Sequence, residues 1–139
     1  MRLVVDSSVG IKWVIRNPAI EPDADRAVAL LRAVRARAVE VLAPPHFVAE
    51  VLAVVARERP LLVPVTFGIL RSVKLETVET ETCYRRATDM AMALKHHLFD
   101  TLYHATAIET GATFVTADRA YFAKASGRGN ILLLSSLAL

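Results

Sequence analysis

Short apolar runs alternate along the chain with longer segments in which apolar residues recur at helical spacing. Short runs that are apolar, or that alternate apolar with polar residues, are typical of strands. The predicted strands span residues 2–5, 39–43, 73–79, 112–116 and 131–134. The predicted helices span residues 9–17, 21–37, 44–56, 63–73, 80–97, 98–110 and 119–125. Because helices separate the strands throughout, the pattern predicts an α/β domain with a mainly parallel central sheet and helices on both faces.

Four acidic residues interrupt these apolar patterns. Asp6 follows the first predicted strand and Asp118 follows the fourth, whereas Glu50 and Asp100 interrupt apolar helical segments. Ligands bind at the carboxyl ends of strands in open α/β sheets. The first and fourth strands of a parallel sheet can lie side by side, which would bring Asp6 and Asp118 together. The pattern therefore makes the four acids candidates for one site.

Each acid also has a structural explanation. Asp6 and Asp118 could cap the helices that follow them, although Ser7 or Ser8 could cap the first helix equally well. Glu50 could form a structural salt bridge, for instance with an arginine, because a buried carboxylate without a partner is costly. At the level of the sequence these alternatives stay open.

The histidines are interpreted as structural residues, and the arginines as either structural or phosphate-binding. His96 and His97 are adjacent, so they face different directions and lack metal-ligand spacing. His46, near a helix start, is interpreted as a surface or capping residue. The arginines of residues 26–37 could form a solvated face or contact phosphates.

Composition narrows the class of protein. The chain has 139 residues, 54% of them hydrophobic, but no apolar run approaches the ~20 residues of a membrane span. We therefore expect an oligomer or a partner to cover the excess apolar surface. The net charge of +3 permits nucleic-acid binding. Cys83 is the only cysteine, which excludes a disulfide framework, and Asp6 interrupts the first apolar run too early for a signal peptide. A cytoplasmic protein is the expectation.

Four carboxylates in one cleft would repel each other and raise one another's pKa values. A hard divalent cation would relieve this repulsion, and oxygen-only ligands suit Mg²⁺ or Mn²⁺ rather than zinc. Such a cluster suggests metal-assisted phosphodiester cleavage.

Several motifs carry a resemblance to a known family. They are VVDSS near the N-terminus, PPHFVAEV in the middle, LFDTLYHATAIETGATFVTAD, and the closing ILLL. With these motifs the chain resembles the PIN domain, and within that family the VapC-type toxin ribonucleases, over essentially residues 1–139 as one domain.

The resemblance implies specific roles. Asp6, Glu50, Asp100 and Asp118 would be the catalytic, metal-binding acids, and Ser7 and Thr116 would supply supporting hydroxyls. The implied cofactor is Mg²⁺ or Mn²⁺. The implied function is a cytoplasmic toxin that cleaves RNA, forms a homodimer, and is blocked by an antitoxin segment lying across the cleft. His104 departs from the pattern, which often has an apolar residue there.

Other readings stay open. An aspartyl-phosphate enzyme of the haloacid-dehalogenase type needs a second Asp where this chain has Ser8. A receiver domain needs paired early acids, which the chain lacks. A PIN nuclease of RNA processing without an antitoxin, or a catalytically silent PIN-like binding module, would share the same motifs.

Overall fold

The computed structural model describes residues 1–17 and 23–139. Its elements alternate between strands and helices, as the hydrophobic pattern predicts. The strands are β1 (Arg2–Val5), β2 (Glu40–Ala43), β3 (Glu76–Thr77), β4 (Thr113–Thr116) and β5 (Ile131–Leu133). The helices are α1 (Ser7–Lys12), α2 (Ala24–Arg35), α3 (Phe47–Glu58), α4 (Val63–Ser72), α5 (Glu81–Leu94), α6 (Leu98–Thr110) and α7 (Arg119–Ala125).

The five strands form one parallel sheet in the order β3-β2-β1-β4-β5. Val4 at the centre of β1 lies opposite Leu42 of β2 on one side and Phe114 of β4 on the other. The first and fourth strands are therefore neighbours, as predicted. Since parallel strands end at the same edge of the sheet, the residues that follow β1 and β4 emerge close together.

Both faces of the sheet are covered. Successive residues of a strand point to opposite faces, yet Leu3, Val4 and Val5 of β1 are all buried. The core that covers them includes Trp13 and a stacked pair of rings, Tyr103 of α6 and Phe114, whose centroids lie 6.1 Å apart. The predicted α/β fold with a parallel sheet flanked by helices is confirmed.

Several predicted boundaries are wrong by a few residues. The strand predicted over 73–79 is only the two-residue β3, at the edge of the sheet with both residues exposed. The helix predicted from Pro44 begins at Phe47; Pro44 precedes a second proline and is therefore disfavoured in the helical conformation. The helix predicted to end near 17 ends at Lys12. The predicted start of the second helix, at 21–22, lies outside the described residues.

Gly10 sets the approach of α1 to α3. A Cβ atom added at Gly10 would lie 2.7 Å from Cζ of Phe47 and 2.9 Å from Cγ2 of Val51. Only a residue without a side chain fits at this distance. This contact fixes the spacing between the helix that follows Asp6 and the helix that carries Glu50.

No helix in residues 1–17 and 23–139 is long and apolar enough to cross a membrane.

Candidate active site

Asp6 is a buried carboxylate at the carboxyl end of β1. Its residue is 9% exposed. The hydroxyl of Ser8 donates a hydrogen bond to Oδ1, and the hydroxyl of Thr116 donates to Oδ2 at 2.5 Å. The backbone N–H of Val9 also donates to Oδ1, at 3.3 Å. Asp6 therefore caps α1, which confirms the structural explanation of this acid. Two hydroxyls also donate hydrogen bonds to its carboxylate.

The same two hydroxyls tie Asp6 to the turn that follows β4. The N–H of Ala117 donates to Oγ of Ser8 at 3.0 Å, and the N–H of Asp118 donates to Oγ1 of Thr116 at 3.0 Å. Each hydroxyl thus accepts from the turn and donates to Asp6. These bonds join Asp6, Thr116 and the backbone of Asp118 into one unit at the edge of the sheet.

Asp118 caps α7. Its Oδ1 accepts a hydrogen bond from the N–H of Tyr121 at 2.9 Å. The structural explanation of this acid is therefore also correct. Capping uses one carboxylate oxygen, so within the described part of the chain Oδ2 of Asp118 is left for another ligand.

Within residues 1–17 and 23–139, the partners of Glu50 are a tyrosine and a histidine rather than an arginine. The hydroxyl of Tyr103 donates to Oε2 at 3.0 Å, and Nε2 of His46 lies 3.4 Å from Oε1. The His46 ring packs on the Tyr103 ring with centroids 4.5 Å apart, and its Nε2 also lies 2.8 Å from the carbonyl oxygen of Phe99. His46 is thus a partner of Glu50, which its interpretation as a surface or capping residue missed.

Asp100, in the first turn of α6, is held by His96. Nε2 of His96 lies 2.6 Å from Oδ2 of Asp100, and Nζ of Lys124 lies 3.2 Å from the other ring nitrogen. The bond to His96 uses Oδ2 only. His96 therefore has a specific partner, which its position in the sequence did not reveal.

The charge of Asp100 acts on the buried carboxylate of Asp6. Burial raises the pKa of Asp6 from 3.8 to about 6, with a smaller contribution from the charge of Asp100, and the hydrogen bonds from Ser8, Thr116 and Val9 oppose the rise.

The charges of these acids also raise the pKa values of two buried tyrosines. Burial raises the pKa of Tyr103, and the charges of Glu50 and Asp6 raise it further. Burial also raises the pKa of Tyr121, and the charges of Asp100, Asp6 and Asp118 add to this. The charge of Asp6 thus acts on both tyrosines, that of Glu50 on Tyr103, and those of Asp100 and Asp118 on Tyr121.

The donor chemistry suits a hard divalent cation, because the candidate ligands are carboxylate oxygens. In the described conformation, however, no three His, Cys, Asp or Glu side chains of residues 1–17 and 23–139 are grouped closely enough to hold a metal ion. The structure brings together Asp6, Thr116 and Asp118 by hydrogen bonds, and relates Glu50 and Asp100 to them through charge. That all four acids bind one ion stays a prediction.

The hydroxyl of Ser8, rather than that of Ser7, donates a hydrogen bond to Asp6. That Ser7 supplies a supporting hydroxyl stays a prediction. Asp6 and Ser8 are two residues apart at the start of α1, and this spacing was the signal that could have identified the contact.

Comparison with known proteins places the chain in a family. The PIN domain profile matches residues 3–127. No curated protein matches significantly. Among solved structures, a chain of VapBC2 from Rickettsia felis, crystallised with a DNA fragment from their promoter, is similar with a TM-score of 0.66 and 17% identity. The match covers 96% of this chain and 97% of that one.

PAE2754 from Pyrobaculum aerophilum is similar with a TM-score of 0.62 and 16% identity, over 98% of this chain and 94% of that one. At these identities the two structures show a shared fold, and the profile match spans most of the 139 residues. The chain belongs to the PIN domain family.

Proposed function

We propose that this chain is a metal-dependent endoribonuclease that hydrolyses RNA phosphodiester bonds, with Mg²⁺ or Mn²⁺ held by Asp6, Glu50, Asp100 and Asp118. PIN domains are generally nucleases, and PIN-domain nucleases generally use divalent metals. The observation that carries the proposal is the hydrogen-bonded unit of Asp6, Thr116 and Asp118 at the carboxyl edge of the sheet. A buried carboxylate with a raised pKa, at the carboxyl edge of a parallel sheet, is a common feature of functional sites.

The protein's own groups would hold the ligating carboxylates in place. Thr116 and Ser8 orient Asp6, and Tyr103 orients Glu50. When bound, a divalent ion supplies an activated water and stabilises charge on the phosphate. The bonds to Asp100 and Asp118 use one oxygen of each in the described part of the chain, so the second oxygen can serve as a ligand.

We also propose that the chain acts in the cytoplasm as the toxin of a VapBC-type toxin–antitoxin pair. The support is the shared fold with VapBC2, a protein determined as a complex on promoter DNA. An antitoxin segment could occupy a groove between helices and direct an arginine at the carboxylates, where a charge-assisted bond would compete with the metal. An isolated antitoxin that bound the chain but left RNA cleavage unchanged would contradict this blocking role.

Residues 1–139 act as one domain in this proposal. The profile match ends at residue 127, but β5 lies beyond it and pairs with β4 in the same sheet. We further propose a homodimer. Exposed apolar side chains on α3 and α5, which include Val48, Tyr84 and Met92 at 39%, 37% and 66% exposure, support such an interface. Light scattering at micromolar concentration should give twice the monomer mass; a monomer would exclude the dimer.

Cleavage of defined RNAs tests the enzymatic proposal. Purified protein is incubated with 5′-labelled tRNA, rRNA fragments and mRNA, with and without Mg²⁺ or Mn²⁺. We expect discrete internal cuts that need the metal. Cleavage that persists after exhaustive EDTA treatment would refute the metal mechanism, and the Asp6→Asn variant must abolish the cuts, which excludes a contaminating nuclease. Asp89→Asn, an exposed acid on α5, is the matched control and should cleave normally.

A further inference from the structure

His96 has a defined set of partners that the four-acid site does not account for. One ring nitrogen, Nε2, lies 2.6 Å from Oδ2 of Asp100, and the other, Nδ1, lies 3.2 Å from Nζ of Lys124. A lysine ammonium can only donate hydrogen bonds. Nδ1 must therefore accept, so the proton of a neutral ring lies on Nε2, where it is donated to Asp100. The two partners together assign one tautomer.

A buried frame sets the plane of this ring. His96 packs against Tyr121 with ring centroids 4.8 Å apart. The hydroxyl of Tyr121 lies 3.1 Å from Nδ1 of His104, and Nε2 of His104 lies 2.7 Å from the carbonyl oxygen of Gly129. A carbonyl can only accept, so His104 carries its proton on Nε2 and accepts from Tyr121. Tyr121 and His104 are buried.

This arrangement explains the polar residue at 104, where a wholly apolar residue would fill the core more simply. Burial lowers the pKa of His104, which agrees with the neutral ring that its two partners require. His104 orients the Tyr121 hydroxyl, Tyr121 supports the His96 ring, and the ring donates to Asp100.

We infer that His96 is a positioning residue for Asp100, with Lys124 selecting its tautomer and the Tyr121–His104 pair holding its ring. The bond restrains Oδ2 of Asp100 and leaves Oδ1 as the oxygen for a divalent cation. This inference rests on the proposed function. Partners of metal-ligating groups typically change metal affinity or activity 10–100-fold when they are removed.

Two substitutions at one position separate orientation from general packing. The amide nitrogen of a glutamine can reach the place of Nε2 in histidine, whereas that of the shorter asparagine reaches only the place of Nδ1. We expect His96→Asn to weaken both Mn²⁺ affinity and RNA cleavage about 10–100-fold, and His96→Gln to restore most of the loss. Asp89→Asn, at an exposed position on α5, is the control and should behave as wild type. Equal losses in His96→Asn and His96→Gln would overturn the inference.

A measurement without metal tests the contact itself. In ¹⁵N-labelled, metal-free protein at a pH where the ring is neutral, long-range ¹H–¹⁵N spectra should show His96 protonated on Nε2, with a proton that exchanges faster in Asp100→Asn. A ring protonated on Nδ1, or a proton insensitive to Asp100→Asn, would overturn the positioning role.

The two levels of failure can be told apart. If the wild type neither binds Mn²⁺ nor cleaves RNA, the proposed function fails and the positioning role fails with it. If wild type is active and Asp100→Asn is not, but His96→Asn retains full affinity and activity, only the positioning role is overturned.

Discussion

The acids at the strand ends and the acids on the helices are held in different ways. Asp6 is buried and bonded through both oxygens to hydroxyls, and Thr116 joins it to the backbone of Asp118. Glu50 and Asp100 have side chains that are 28% and 40% exposed. Each of these two has a histidine four residues before it, His46 or His96.

The difference teaches what keeps each carboxylate in place. The strand-end pair is positioned by the pairing of β1 with β4, and its bonds come from the backbone and from two short hydroxyl side chains. The helix pair is held instead by the ring side chains of Tyr103, His46 and His96. We therefore expect the loss of a hydroxyl at the strand ends to reduce stability, and changes around the helix acids to affect chemistry more than folding.

The largest expected effect is on cleavage by Asp6→Asn or Asp118→Asn. Asparagine has nearly the same shape and is also a good helix cap, so the fold should survive. The lost charge should lower the cleavage rate a hundredfold to a thousandfold, or ~3–4 kcal/mol. Single-turnover cleavage and melting temperature on the same samples check this. A structural role alone would give the opposite pair of results: a lower melting temperature and unchanged cleavage.

The pH dependence of the free energy of unfolding tests the raised pKa of Asp6. Because its pKa rises from 3.8 to about 6 on folding, the folded state binds this proton more tightly than the unfolded chain. The metal-free protein should therefore lose stability as pH rises from about 4 to about 6, by up to about 3 kcal/mol from this group.

The test compares the free energies of unfolding of wild type and Asp6→Asn. Urea unfolding of wild type and Asp6→Asn at several pH values should show the variant gaining relative stability across this window. A stability difference that is constant with pH would show that Asp6 titrates normally.

Thr116→Val tests the bridge between the two strand-end acids. Valine keeps the shape of threonine but leaves Oδ2 of Asp6 and the N–H of Asp118 without their partner. We expect a loss of about 1.5–3 kcal/mol in the free energy of unfolding, measured by urea denaturation. Thr116→Ser retains the hydroxyl and is the control. If valine and serine cost the same, the methyl packing and not the bridge is what matters.

Gly10→Ala tests the spacing between the strand-end acids and the helix acids. The added methyl would press on Phe47 and Val51 of α3, so we expect a cost of about 1–3 kcal/mol from overpacking. Gly68→Ala is the control, because a Cβ there meets no atom within 4 Å and alanine favours a helix. Thermal unfolding of both variants measures the contrast. Similar melting temperatures would mean that α1 and α3 can separate at little cost.

Local patterns in the sequence determined much of the architecture. Strand–helix alternation predicted the parallel sheet, and the acids after the first and fourth strands predicted their shared edge. Gly111 predicted the end of α6, where the structure has a left-handed residue with φ of 67°. These features depend on spacing, on chain direction and on backbone preferences, all of which are readable over a few residues.

The tertiary structure decided which side chain serves which acid. Glu50 meets Tyr103, which is 53 residues away, and Thr116 meets Asp6 across 110 residues. Ser8 rather than Ser7 bonds to Asp6, because the start of α1 directs the second hydroxyl back to the carboxylate. The contacts of His46, His96 and His104 were also set by packing. A hydrogen bond forms only when the donor–acceptor distance is right to within a few tenths of an ångström. For groups remote in sequence, only the packed chain sets that distance.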